Sequence, residues 1–334
     1  MIFYLIQAKR YARMEYVDSW GGRAGSRMQF LFYDDLVQVK NFKPATYIFA
    51  DLETLSPGQL QLACQLCTQI TQAGTPARIL NDPGRALRRL DLLQKLYDEG
   101  INSFKAARAS DRVDHLRFPV FVRREDDHEG SLTRLLRNRN ELDRMLRYLR
   151  LQGHRLGDLL VVEFCDTADG AGVFRKYSAF VVGSQILPRH LLFGRSWNVK
   201  KRDLNTEDLR REEQQYLQAN PHEGLLREVC RIAAIDYGRV DYSLTKNGLQ
   251  VWEINTHPKV LRLTPRLTAA FEGLDCETNE SASIPVFFGD ATLRRVKHEV
   301  DARAHNLVLR NTLSTLASAP ILNWVKQAIK TRLG

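Results

Sequence analysis

Apolar positions along this chain recur with two periods that alternate from one segment to the next, which predicts an α/β protein. Strand-like runs appear as IFYLI at the start and YIFADL around Tyr47 to Leu52, and a helical period follows from Pro57 to Ala73. A short strand at PARIL leads into an Asn81-Asp82-Pro83-Gly84 turn, then a helix with apolar Leu87, Leu90, Leu93 and Leu96 that stops at Gly100. From Phe118 the pattern reads strand, polar loop, and one or two helices carrying Leu132, Leu135, Leu136, Leu142, Met145, Leu146 and Leu149. An apolar strand ends at Glu163, and two more follow around Phe174 to Val182 and Gln185 to Pro188. An amphipathic helix over Leu217 to Ile235 feeds a hairpin from Arg239 to Pro258. Beyond it come a loop near Asn279 to Pro285 and two helical stretches. The last, Ile321 to Leu333, sets Trp324, Val325 and Ile329 against Lys326, Lys330 and Arg332, as in a helix packed on the body.

The hairpin is the most informative stretch. Val240, Tyr242 and Leu244 alternate with Arg239, Asp241 and Ser243, while Trp252 and Ile254 alternate with Val251, Glu253 and Asn255, around a turn at Lys246-Asn247-Gly248. A two-residue Asn247-Gly248 turn would pair Asp241 with Ile254 and separate the acids. A three-residue loop with Gly248 left-handed pairs Asp241 with Glu253, Arg239 with Asn255 and Tyr242 with Trp252. The second register is preferred, because it gathers the large apolar side chains on one face and the charged set on the other. Two carboxylates and an amide oxygen on one face are hard ligands suited to Mg²⁺. Taken alone, the hairpin reads more readily as acids that solvate an outer face.

Composition narrows the class. The 334 residues are 44% apolar and 26% charged, enough for a sizeable core in two or more subdomains. No run approaches the roughly 18 apolar residues of a membrane span, and MIFYLI runs into Gln7, Lys9 and Arg10 without a cleavage pattern, so a cytoplasmic location is expected. The net charge of +10 suits nucleic acid, anionic lipid or acidic small molecules without choosing among them. Arginines from Arg134 to Arg155 lack interleaved aromatics and read as a solvated helix face, so no nucleic-acid partner is expected. Five cysteines are expected as thiols, and the Cys64/Cys67 pair sits at helical spacing as core.

With these residues in view, the hairpin resembles the metal-binding end of the ATP-grasp superfamily: Asp241, Glu253, Asn255 and Pro258 match position by position. The passage around Arg88 and Arg89 resembles the end of the N-terminal domain in glutathione synthetase and glutamate-adding ligases, where a lysine contacts the nucleotide. The resemblance implies an α/β (α+β) ATP-grasp architecture: an N-terminal α/β domain over 1–112, a small subdomain over 113–165, a large subdomain over 166–270 and a helical extension over 271–334. It implies nucleotide contacts from Arg89, from Arg123 where lysine is usual, from Ser131 (which could instead cap the next helix), from Val162, Glu163, Phe164 and Cys165 at the hinge, and from Asp166. Arg175, His190 and Arg239 are implied around the transferred phosphate. The loop from Arg124 to Ser131 departs from the family in having only Gly130. The implied activity is ATP- and Mg²⁺ (or Mn²⁺)-dependent ligation of a small-molecule or peptide carboxylate to an amine through an acyl phosphate. A kinase or a catalytically degenerate nucleotide-binding protein is the alternative, and a homo-oligomer is allowed.

Overall fold

The computed structural model describes residues 1–7, 28–74, 76–260, 263–274, 276 and 283–302. The helix expected over Ile321 to Leu333 lies outside them. Strands β1 (Ile2–Ile6), β2 (Met28–Phe32), β4 (Thr46–Phe49) and β5 (Arg78–Leu80) form a parallel sheet in the order β2-β1-β4-β5. Helix α1 (Pro57–Gln72) joins β4 to β5, and its start is written in the sequence: Ser56 accepts from the Gln59 amide, Gln59 answers in a capping box, and Pro57 takes the first turn. Its inner stripe of Leu62, Ala63, Leu66, Cys67 and Ile70 packs on Phe3, Leu5, Tyr47 and Phe49. Cys67 is therefore core, its thiol pushed up to about 12 by burial and by Asp82.

The final described segment returns to this unit. Strand β13 (Ile284–Pro285) pairs with β3 (Asn41–Phe42), Val286 and Val296 join the same core, and the Glu299 carboxylate accepts from the Gly58 amide at 3.0 Å at the positive end of α1. The expected C-terminal extension is thus, in its described part, a cover on the first domain.

A second sheet is antiparallel, β6 (Ala106–Arg108), β8 (Leu159–Glu163) and β7 (Val120–Arg124), in the order β6-β8-β7. Because β6 belongs here, this unit begins upstream of the expected boundary at residue 113. Helix α2 (Arg89–Asp98) precedes it, and α3 (Arg139–Leu151) buries Leu142 and Leu149 against Val120, Val122 and Val161. The helix expected from Leu132 is absent between 131 and 136. That stretch is extended along β7, with Leu132 donating to the Val122 carbonyl at 2.8 Å and Leu136 to Val120 at 2.7 Å. Local side-chain bonds from Ser131 and Thr133 compete with a helix there, and Asn138 caps α3 through the Glu141 amide instead.

The third sheet, β9 (Phe174–Val182), β10 (Gln185–Gly194), β11 (Tyr237–Thr245) and β12 (Gly248–Asn255), runs β10-β9-β11-β12, all antiparallel. Tyr177, Leu191, Val240, Tyr242 and Val251 bury one face under α2, α4 (Glu207–Ala219) and α5 (Glu223–Ala233). The single helix expected over 217–235 is broken where Asn220 turns left-handed at φ 46°. The other face meets the first domain at one end, where Phe180, Val182 and Tyr237 pack on Ile2, Tyr4 and Ile48, and carries the polar side chains at the other.

A candidate active site on the polar face of the third sheet

Direct partners across an antiparallel ladder share a face. His190 opposes Ser178, Ser178 opposes Asp241, and Asp241 opposes Glu253, so one polar row crosses all four strands. Arg239 opposite Asn255 forms part of the neighbouring row. The preferred pairing of the two acids therefore holds, but by another route. The turn is the two-residue Lys246-Asn247 with Thr245 opposite Gly248 (φ 114°), and Tyr242 opposes Val251; an extra residue, Trp252, then restores the Asp241–Glu253 pairing. The bulge re-aims the Trp252 indole, whose Nε1 donates to Ser243 at 2.9 Å and whose ring stacks on Phe104. Trp252 is thus on the cleft side and not with Tyr242.

Asp241 is buried and saturated. Arg239 donates to its two oxygens at 2.8 and 3.0 Å, Lys176 lies at 2.8 Å and the Ser178 hydroxyl at 3.1 Å. Burial pushes this carboxyl up, but Lys176 and Arg239 overcome it and hold it far below the usual range. Glu253 accepts at one oxygen from Arg89 at 2.8 Å and Arg123 at 2.7 Å, and its other oxygen is 3.5 Å from His128. Here too burial opposes ionisation, and the two guanidiniums and the imidazole win. His128 reaches on to Glu53 of the first domain at 2.8 Å. Burial pulls the imidazole down, yet Glu253 and Glu53 raise it to about 9, while His128 and Thr256 draw Glu53, against burial, down to about 2. Five cations, Lys176, Arg239, Arg89, Arg123 and protonated His128, thus face three carboxylates. The surplus is positive and favours an anion. His190 is different: burial lowers it to about 4, with Arg239, Arg189 and Lys176 opposing the pull of Asp241, so it is neutral at neutral pH.

A cleft beside the row separates the second and third sheets. Its apolar end is aromatic, with the Trp197 ring 4.8 Å from Phe121 and 6.0 Å from Phe164, and its polar end is bounded by Arg123, Lys176 and Glu253. The segment carrying Trp197 crosses to the loop after β7, where Lys200 donates to the Glu129 carbonyl. Gly130 makes this crossing feasible: its φ is 90°, and a Cβ there would stand 2.6 Å from the Lys200 side chain.

No family model and no curated protein matches the sequence. Solved structures match the fold. D-alanine–D-alanine ligase from Bacillus anthracis complexed with ATP aligns with a TM-score of 0.50 at 13% identity, over 89% of this chain and 99% of that one. The chain has the ATP-grasp fold. The ATP-grasp ligase PsnB, complexed with a phosphomimetic variant of its minimal precursor, Mg and ADP, aligns with the same TM-score at 11% identity, over 82% of this chain and 96% of that one.

Within this ATP-grasp framework the expected residues divide. Arg89 is a buried tie: besides Glu253 it donates to the Arg124 carbonyl at 3.1 Å and to the Glu125 carbonyl, and its guanidinium lies 3.2 Å from the His128 ring. Arg123, Phe164, Cys165, Ser131 and Arg175 line the cleft. The Ser131 hydroxyl is bonded to the Thr133 carbonyl and caps no helix, and Arg175 is held by Asp169 and Glu212 at the rim. Val162 is buried behind Phe121. The Glu163 carboxylate turns away to Arg117 and the Lys105 amide, and Asp166 sits in a neighbouring depression with its carboxylate on the Ala168 amide. Asn255 keeps its amide oxygen on the His257 amide at 2.8 Å. Sequence reasoning missed Lys176, His128, Glu53 and Trp197. Lys176 had a signal, since it alternates with Ser178 between apolar Tyr177 and Ala179, whereas Glu53 had none because it comes from another domain.

Among the described residues no cluster of three or more His, Cys, Asp or Glu forms a ready cage for a metal ion. Asp241 and Glu253 are ionised oxygen ligands of the kind Mg²⁺ takes, opposite one another on one face, but with Lys176, Arg239 and Ser178 on the first and Arg89, Arg123 and His128 on the second neither offers an open position as arranged.

Proposed function

We propose that the chain is an ATP-dependent ligase that joins a carboxylate to an amine, releasing ADP and phosphate. The observation that carries this reading is the polar row with its surplus of cations beside an aromatic cleft in an ATP-grasp fold. In this reading a purine lies against the aromatic end near Phe121 and Phe164, and its phosphates run toward Arg123 and Lys176. Asp241, Glu253 and Asn255 would hold Mg²⁺ only once those phosphates draw Lys176 and Arg123 off the carboxylates, and the ion would then neutralise phosphate oxygens.

The substrate carboxylate oxygen attacks the γ-phosphorus, the bond to the bridging oxygen breaks, and ADP leaves. The amine nitrogen then attacks the acyl carbon, the bond to phosphate breaks, and the ammonium proton is lost. Lys176 and Arg239, fixed by Asp241, offset the charge that accumulates on the phosphoryl oxygens. His190, being neutral, offers a hydrogen bond without adding charge. Arg175, tied to two acids, orders the rim, and Phe164 and Cys165 shape the base end. Arg89 holds Glu253 and the loop after β7 in place.

Incubation with ATP, Mg²⁺, candidate acids and hydroxylamine tests the proposal. A hydroxamate with matching ADP release is expected. A phosphoester would instead identify a kinase, and calorimetry with no Mg²⁺-dependent ATP uptake would end the nucleotide reading. No helix of the described residues is long and apolar enough to cross a membrane.

A further inference from the structure

A second cavity of about 890 Å³ lies at the free edge of β10, between α4 and the start of α6 (Pro265–Glu272). Phe180, Leu187, Leu217 and Leu267 give it apolar walls, and Arg189 and Arg266 give it charge. Its shape comes from a bulge: the β10 register slips between Pro188 and His190, leaving Arg189 outside the ladder. The Arg189 guanidinium lies 5.7 Å from the Phe180 ring and forms no ion pair among the described residues. The acid nearest in effect, Glu213, is already taken by Arg202 at 2.6 Å and by the Leu191 amide at 3.2 Å. Burial pulls Arg189 down, as does Arg239, which is the cost of keeping a guanidinium half-dry beside another one. The N-terminus of α6, capped by Thr264, adds partial positive charge at the same wall.

A half-buried cation without an acidic partner among the described residues, at the mouth of an apolar groove, recognises a carboxylate attached to an aliphatic or aromatic body. Pro188 has no backbone N–H and the adjoining bulge interrupts the edge, which together disfavour an added strand and favour a small molecule. Arg189 immediately precedes His190, the outer end of the polar row, and shares its electrostatic field with Arg239. We propose that this groove binds an apolar carboxylic acid through Arg189 and, resting here on the ligase reading above, that this acid is the one activated.

The test uses the full chain, without nucleotide, and two probes of one carbon skeleton, an anion and a neutral alcohol: 4-phenylbutyrate and 4-phenylbutanol, titrated by calorimetry. The acid should bind about tenfold more tightly than the alcohol. Arg189→Gln should equalise the two, and Arg189→Lys, which keeps the charge and guards against a folding artefact, should restore the preference. Equal affinities in the wild type, no binding of either probe, or a preference that survives Arg189→Gln would each overturn the groove. Hydroxamate formation with ATP and Mg²⁺ should then be greater with 4-phenylbutyrate than with acetate. Acid binding without that difference keeps the groove and removes its link to ligation, whereas failed ATP uptake strikes the ligase reading alone.

Discussion

At Glu253 two buried guanidiniums, one from α2 and one from β7, converge on a single carboxylate oxygen. Replacing that side chain by glutamine would leave both with no anion in a dry setting, where losing one member of a buried pair costs roughly 3–5 kcal/mol. Glu253→Gln is therefore expected to lower stability by about 3 kcal/mol or more in urea titrations, and to abolish hydroxamate formation. Lys176→Met isolates the chemistry better, since Asp241 keeps Arg239 and Ser178. It should reduce turnover roughly a hundredfold, the scale of one lost charge-stabilising donor, while the urea midpoint moves less than for Glu253→Gln. Both side chains lie on alternating strands, so their shared face was readable from period-2 spacing. That two arginines would be consumed by one acid was not, because Arg89 and Arg123 approach from elements more than a hundred residues away in sequence.

Among the elements, the hairpin teaches how a right pairing can arise from a misjudged turn. The alternation required Asp241 opposite Glu253, and the chain achieves it with a tighter turn and a bulge at Trp252, which also redirects an indole into the cleft. Pattern alone cannot locate such an extra residue, since one inserted position leaves the hydrophobic count unchanged. The stretch from Ser131 to Leu136 failed for a related reason: its leucines suit a helical stripe, but hydroxyl groups at 131 and 133 bind the backbone in an extended form. The strap over the cleft depends on Gly130. Gly130→Ala imposes an unfavourable φ and a clash with Lys200, a penalty of about 1–3 kcal/mol for the strained backbone. Faster hydrogen exchange over residues 195–201 than in the wild type is the expected readout.

For the molecule as a whole, buried polar contacts reinforce the apolar packing of the first domain on the other two units, and two of them can be tested. Asn81, buried at φ 60°, donates to the Phe49 and Tyr237 carbonyls at 3.1 and 2.8 Å and accepts from the Asp236 and Tyr237 amides at 2.8 Å. Asn81→Leu should cost about 3 kcal/mol, combining unsatisfied backbone groups with a strained left-handed residue. The second contact, Glu53 with His128, is pH-sensitive. Glu53 falls from its ordinary 4.5 to about 2, so its contribution is present above about pH 4.5 and is lost as pH drops toward 2. Urea midpoints between pH 3 and 6 should fall less steeply with acid in Glu53→Gln than in the wild type. The strands and the acids of the row were legible because they are local patterns; these domain contacts were not, because each joins residues whose neighbours in sequence carry no shared period.

The return of residues 283–302 onto the first domain has a consequence for biogenesis. Strand β3 and the start of α1 wait for partners encoded about 240 residues downstream. As the polypeptide leaves the ribosome, the first domain must stay incomplete, with Phe42 and neighbouring apolar surface uncovered, until both central sheets have been synthesised. A nascent chain of this design is most vulnerable to aggregation in this domain, and a premature stop near residue 275 would release a protein whose central sheets are intact but whose first domain is bare on one side.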